Sequence, residues 1–123
     1  MRRAGGKLGD RAEELACRHL QARGYLIVER NWRSLYGELD IVARDGETLV
    51  IVEVKARSGT TFGGPEAALT RQKRERILTA ARAYLASFPS DLALRFDVVA
   101  VSKDRIVLYQ DAFRPEGECS LAF

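Results

Sequence analysis

Asp40, Glu53 and Lys55 carry charge into segments that otherwise read as the most apolar strands of the chain. Leu49 to Val54 is Leu-Val-Ile-Val-Glu-Val, a strongly β-forming run. Lys55 follows two positions after Glu53, so the two side chains share a face of the strand. Upstream, Gly37-Glu38-Leu39-Asp40 opens a second apolar run that ends at Asp45-Gly46, a strong hairpin signal. With Asp45-Gly46 as a two-residue turn, Arg44 faces Glu47 and Glu38 faces Glu53. Asp40 then lies opposite Ile51, diagonal to Glu53 on the same face. Carboxylates ~6 Å apart repel by ~3 kcal/mol at an effective dielectric of ~20. A divalent cation removes that penalty, and oxygen ligands are what Mg²⁺ or Mn²⁺ prefers. Lys55 beside such a cation could hold a nucleophilic water or stabilise charge on a phosphate. The plain alternative pairs Glu53 with Lys55 at a strand end and leaves Asp40 as a solvated edge residue.

The elements that must position these groups follow from periodicity. Asp10 reads as a helix N-cap with Glu13 as its capping-box partner. Ala12, Leu15, Ala16, His19 and Leu20 recur at helical spacing, and Gly24 closes the helix. Strands are predicted over 25–32, 38–44 and 48–57. Ser58 to Pro65 is a loop by composition, placed to act as a flap over the charged strand end. A long helix starts at about Glu66 or Thr70 and runs to Ser87, where Pro89 stops it. Its apolar stripe is Ile77, Leu78, Ala81, Tyr84, Leu85 and Phe88. Two further strands, 95–101 and 105–110, precede an irregular tail from Asp111 that packs Phe113 and Phe123. The order αβββαββ requires a helical crossover between the third and fourth strands, hence parallel pairing there. The result is an α/β domain, a mixed β-sheet flanked by helices.

Basic residues form a second layer. Arg71, Lys73, Arg74, Arg76 and Arg82 face one acid, Glu75, over Thr70–Arg82. Near an acidic, cation-capable cluster they suit a polyanion held by its phosphates, although a solvated amphipathic helix would look the same. Trp32 reads as a core anchor, with base stacking by Trp32, Arg33 and Tyr36 as the alternative. Asp97 and Arg95 read as a structural pair, and His19 as packing. Glu13 is open between a capping role and a place beside the acidic cluster.

Composition narrows the class. A chain of 123 residues with 46% hydrophobic and 30% charged residues fits one folded domain over 1–123 rather than a disordered segment. No apolar run approaches the ~20 residues that cross a bilayer, and the basic start lacks a signal-peptide core. Cys17 and Cys119 have no Cys-x-x-Cys spacing, so free thiols and a reducing cytoplasm are expected.

Glu13-x-x-Ala16-x-x-x-Leu20-x-x-x-Gly24-Tyr25, Asn31-Trp32-Arg33, Gly37-Glu38-x-Asp40, Glu53-Val54-Lys55-x-Arg57, Lys73 and Arg95-Phe96-Asp97-Val98-Val99 together resemble the YraN family. These small bacterial proteins are grouped with archaeal Holliday junction resolvases in the restriction-endonuclease-like fold. The resemblance covers nearly the whole chain. It implies that Asp40 and Glu53 are metal-binding carboxylates, that the Val54 carbonyl adds an oxygen, and that Lys55 is the catalytic lysine. Glu13 matches an acidic residue that related resolvases place at the same site, and Glu38 is an accessory candidate without an assigned role. Ala12 departs from the family, where many relatives carry glycine. Lys73, Arg71, Arg74 and Arg57 would hold phosphates. The expectation is a Mg²⁺- or Mn²⁺-dependent endonuclease acting on nucleic acid, DNA first, selective for structure or branching because the chain carries no recognisable reader of base sequence, with a homodimer by analogy with the resolvases. The competing expectation is a non-catalytic nucleic-acid-binding or protein-docking module on the same scaffold.

Overall fold

Helix α1 (Gly6–Ala22) leads into a meander of β1 (Leu26–Ser34), β2 (Gly37–Asp45) and β3 (Thr48–Ala56). Helix α2 (Arg71–Ser87) then connects to β4 (Ala93–Val101) and β5 (Ile106–Phe113). This is a computed structural model, and it describes residues 6–56 and 69–115. The expected loop over 58–65, Arg57, Cys119 and Phe123 lie outside the described residues.

The five strands form one sheet in the order β1-β2-β3-β4-β5. β3 and β4 pair in parallel from Thr48↔Ala93 to Ala56↔Val101, as the helical crossover requires. The other pairs are antiparallel. Side-chain alternation splits the core into two layers. Leu49, Ile51, Phe96 and Val98 pack with Ile77, Leu78, Ala81 and Tyr84 of α2. Val50, Val52, Val99 and Val101 pack with Ala12, Ala16 and Leu20 of α1. One helix therefore covers each face of the sheet.

Three expectations are corrected. Helix α1 starts at Gly6, so Asp10 lies within the helix and is not its N-cap. Glu13 is accordingly no capping partner and is buried, 3% exposed. The β2–β3 turn falls one residue later than expected: Asp45 pairs with Thr48, and Gly46 takes the left-handed φ of 62°. Asp45 is held in the ladder because its carboxylate accepts from Arg95 of β4 at 2.9 Å, a long-range partner that outweighs local turn preference. Finally, β5 runs on to Phe113 through Asp111 (φ 53°), where an irregular tail was expected. The Asp111 amide donates to the Asp97 carboxylate at 2.9 Å, and Phe113 stacks on Phe96 with ring centroids 4.8 Å apart.

Other features follow expectation. Tyr25 N–H donates to Leu20 O and Gly24 N–H to Gln21 O, both at 3.0 Å. This pairing is a Schellman closure, with Gly24 at φ 94°. Thr70 caps α2, its hydroxyl accepting from the Lys73 amide at 3.1 Å. Trp32 packs edge-on against Tyr84 at 5.2 Å, which makes it a core anchor. Asp97, fully buried, accepts from Tyr25 Oη at 2.7 Å and from Arg95 Nε at 2.9 Å, the structural network its alternation with Phe96 and Val98 suggested. Burial is the main reason the Tyr25 hydroxyl is pushed up to about 12. Among the described residues no helix is long and apolar enough to cross a membrane.

Candidate active site

The later turn shifts the β2–β3 register by two residues, which preserves the face of every side chain. It also replaces the expected diagonal with a closer arrangement. The assigned ladder ends at Ile41↔Val52, and continuing that register sets Asp40 opposite Glu53. There the strands stop exchanging backbone bonds. The Asp40 carboxylate instead accepts from the Val54 amide at 2.8 Å. A side chain thus satisfies the backbone group that a longer ladder would have used. Asp40 is 5% and Glu53 9% exposed.

A cavity of about 220 Å³ opens at this point, lined by Gly37, Glu38, Asp40, Glu53, Lys73, Arg76 and Ile77. Its chemistry is a buried pair of acids under a basic wall. Burial first, and the neighbouring Asp40 charge second, push the Glu53 carboxyl up to about 7. Lys73 opposes that shift through an ion pair, Nζ to Glu53 Oε2 at 3.2 Å. Lys73 reaches the sheet because it sits four residues before Ile77, one turn along the buried stripe of α2.

The remaining candidates are distributed around this pair. Glu38 is exposed and faces Arg33, with Oε1 to Nε at 3.6 Å. Lys55 is half-buried on β3, on the Glu53 face by alternation, and Glu53 takes its ion pair from Lys73 rather than from a strand-end neighbour. Glu13 sits in α1, the helix over the opposite face of the sheet. Among the described residues, no three acids, histidines or cysteines are gathered closely enough to hold a metal ion. Asp40 and Glu53 come together, and Glu13 does not complete a trio with them. Arg71 is exposed and paired with Glu75 at 3.3 Å, and Arg74 donates to Leu69 O at 3.4 Å.

Sequence reasoning missed Gly37 and Arg76 as lining residues, and it gave Lys73 a phosphate role without its acidic partner. The available signal was the spacing of Lys73, Arg76 and Ile77, which share a helix face.

Residues 12–101, which contain every acid of this site, match the model of the uncharacterised protein family UPF0102. A UPF0102 protein of Ralstonia nicotianae is 46% identical over 114 residues, covering 89% of this chain and 88% of that protein. One from Frankia alni is 50% identical over 102 residues, covering 82% and 85%. One from Bacteroides thetaiotaomicron is 44% identical over 113 residues, covering 89% and 93%. The chain belongs to the UPF0102 family. This is the YraN family that its motifs resemble. The UPF0102 fold seen here matches the solved structure of Hjc, a Holliday junction resolvase from Archaeoglobus fulgidus. The TM-score is 0.55 at 20% identity, over 81% of this chain and 73% of that one. The likeness carries the fold: this UPF0102 protein has the resolvase, restriction-endonuclease-like architecture.

Proposed function

We propose that this protein is a divalent-cation-dependent nuclease that binds DNA and hydrolyses phosphodiester bonds, acting on branched rather than continuous duplex. The observation that carries the reading is the meeting of two buried acids, Asp40 and Glu53, at one open cavity at the end of the β2–β3 ladder. Ordinary packing gives no reason to bury two acids side by side, since each raises the cost of ionising the other. The donor set fits Mg²⁺ or Mn²⁺: two carboxylates, with the Val54 carbonyl as a third oxygen. A bound cation there supplies Lewis acidity to a phosphate oxygen and to an attacking water.

The residues of the chain supply the rest. Asp40 and Glu53 hold the positive charge at the end of the ladder. Lys55, on the Glu53 face of β3, orients the water or offsets charge gathering on the phosphorane oxygens. Lys73 exchanges Glu53 for a substrate phosphate once the acid has another positive partner, and Arg76, Arg71, Arg74 and Arg57 hold flanking phosphates. Glu13, in the helix over the opposite face of the sheet, takes no part in this reading, and Glu38 stays at the rim. Hjc is a Holliday junction resolvase, and a symmetric junction suits a twofold dimer, so a homodimer on branched DNA in the cytoplasm is part of the proposal.

One observation favours a second reading, a non-catalytic DNA-binding module. The Lys73–Glu53 pair at 3.2 Å compensates the buried acid without any metal. Incubating the purified protein with four-way, flapped and linear DNA separates the two, with Mn²⁺ or EDTA and an Asp40→Ala control. Cation-dependent cleavage lost in the variant supports the nuclease. Salt-dependent binding with every substrate left intact supports the module.

A further inference from the structure

Two-residue hairpin turns face water and ordinarily carry Asn, Asp or Gly; in the β1–β2 turn the positive φ falls on the following Gly37 (129°) and on neither turn residue. The β1–β2 turn is Leu35-Tyr36. Leu35 is 97% and Tyr36 65% exposed, the highest exposures among the large apolar residues described. Their presentation is braced. The Ser34 hydroxyl accepts from the Tyr36 amide at 3.0 Å and donates to Gly37 O at 3.2 Å. Behind the turn, Gly37 at φ 129° lies so close to α2 that an added Cβ would meet Ala80 Cβ at 3.3 Å. The β1 stem is fixed to the same helix by Trp32 against Tyr84. Two large side chains therefore project into solvent from a supported turn instead of folding onto the core.

The position of this tip suggests what it meets. Gly37 and Glu38, the next residues along the chain, line the acidic cavity, so the tip directly precedes that lining in sequence. Arg33, ion-paired with Glu38 at 3.6 Å, flanks the tip on β1, and Arg76 lines the same cavity beside Gly37, its carbonyl oxygen 3.7 Å from where a Gly37 Cβ would stand. An apolar point between cationic side chains complements a nucleic acid, whose base faces are apolar and whose phosphates are anionic. A continuous duplex offers no free base face. A branch point, flap or nick does, and leucine and tyrosine are suited to stack there.

We propose that Leu35 and Tyr36 form a wedge that stacks on the base face exposed where a DNA duplex is interrupted, and so set the substrate class of the adjacent cavity. The wedge rests on the nuclease reading for the placement of DNA over the cavity, yet it requires no cleavage.

The test uses the full chain in EDTA with a flapped DNA carrying the fluorescent base aminopurine at the discontinuity, beside a continuous duplex of equal length. The unaltered protein should change the aminopurine signal and bind the interrupted DNA about tenfold more tightly, the order of one base-stacking contact. Leu35→Ser with Tyr36→Ser should abolish both effects while keeping duplex affinity and melting temperature, and Tyr36→Phe should retain them. Retained preference in the double variant overturns the wedge, as does a dimer that the double variant converts to monomer, since a second copy would then cover the tip. No DNA binding at all overturns the wedge together with the proposed function. Interrupted-duplex preference without cleavage under Mn²⁺ leaves the wedge standing and removes the nuclease. Cleavage whose preference survives the double variant does the reverse.

Discussion

Replacing Glu53 by glutamine probes the charge conflict at the centre of the site. Burial beside Asp40 lifts the Glu53 carboxyl from its ordinary 4.5 to about 7 in the folded chain. Between those values the folded protein keeps a proton that the unfolded chain has released. Stability from this group is therefore complete below the unfolded value and is lost as pH rises through the folded one. The gap corresponds to ~3 kcal/mol at about 1.4 kcal/mol per unit. Glutamine matches the shape and cannot ionise. Without added metal, Glu53→Gln should therefore be more stable than the unaltered protein by up to ~3 kcal/mol at about pH 8, and nearly equal to it at about pH 4. For a chain of this size ~1 kcal/mol moves the melting temperature by ~4 °C, so the alkaline difference should approach about 10 °C. Thermal melts across pH in a chelating buffer measure it. Equal stabilities at alkaline pH, or a less stable variant there, would refute the idea that Glu53 is a strained acid.

Two further outcomes follow from neighbouring contacts. Lys73→Met removes the cation that lowers Glu53's proton affinity, so the variant should lose stability mainly above neutral pH. A loss of equal size in acid would mean that Lys73 acts through packing alone. Asp97→Ala removes the acceptor for Tyr25, Arg95 and the Asp111 amide. It should cost about 3–5 kcal/mol in a urea titration, the scale for breaking a buried charged pair, and a cost well below that range would deny the network its structural weight.

The fold was legible where the pattern is local and repeated. Alternation in Leu49–Val54 and the helical stripe of α2 located β3, α2 and their buried faces, and the crossover length dictated parallel pairing of β3 with β4. What escaped depended on distant partners. Arg95 draws Asp45 into the β2–β3 ladder, which moves the turn by one residue and the register by two. Because the shift is even, Asp40 and Glu53 stayed on one face, and the acidic pair survived a mistaken turn. The bulge at Asp111 likewise exists to satisfy Asp97, a need invisible from the sequence of β5. The partner of Glu53 was hidden for the same reason. Lys55 is its near neighbour in sequence, whereas Lys73 arrives across the crossover from another element. Leu35 and Tyr36 stood in plain view, but only the packing of the partly buried Trp32 against Tyr84 separates the solvent-facing tip from its anchored stem.

Calorimetric titration of Mn²⁺ into the full chain, at a pH above the Glu53 transition, addresses the two-acid site most directly. The expected result is one saturable binding event per chain that disappears in Asp40→Asn and in Glu53→Gln, with protons released on binding when the titration is repeated near neutral pH. Absence of binding, or binding of the same strength in both variants, would contradict the assignment of this acidic pair to a cation.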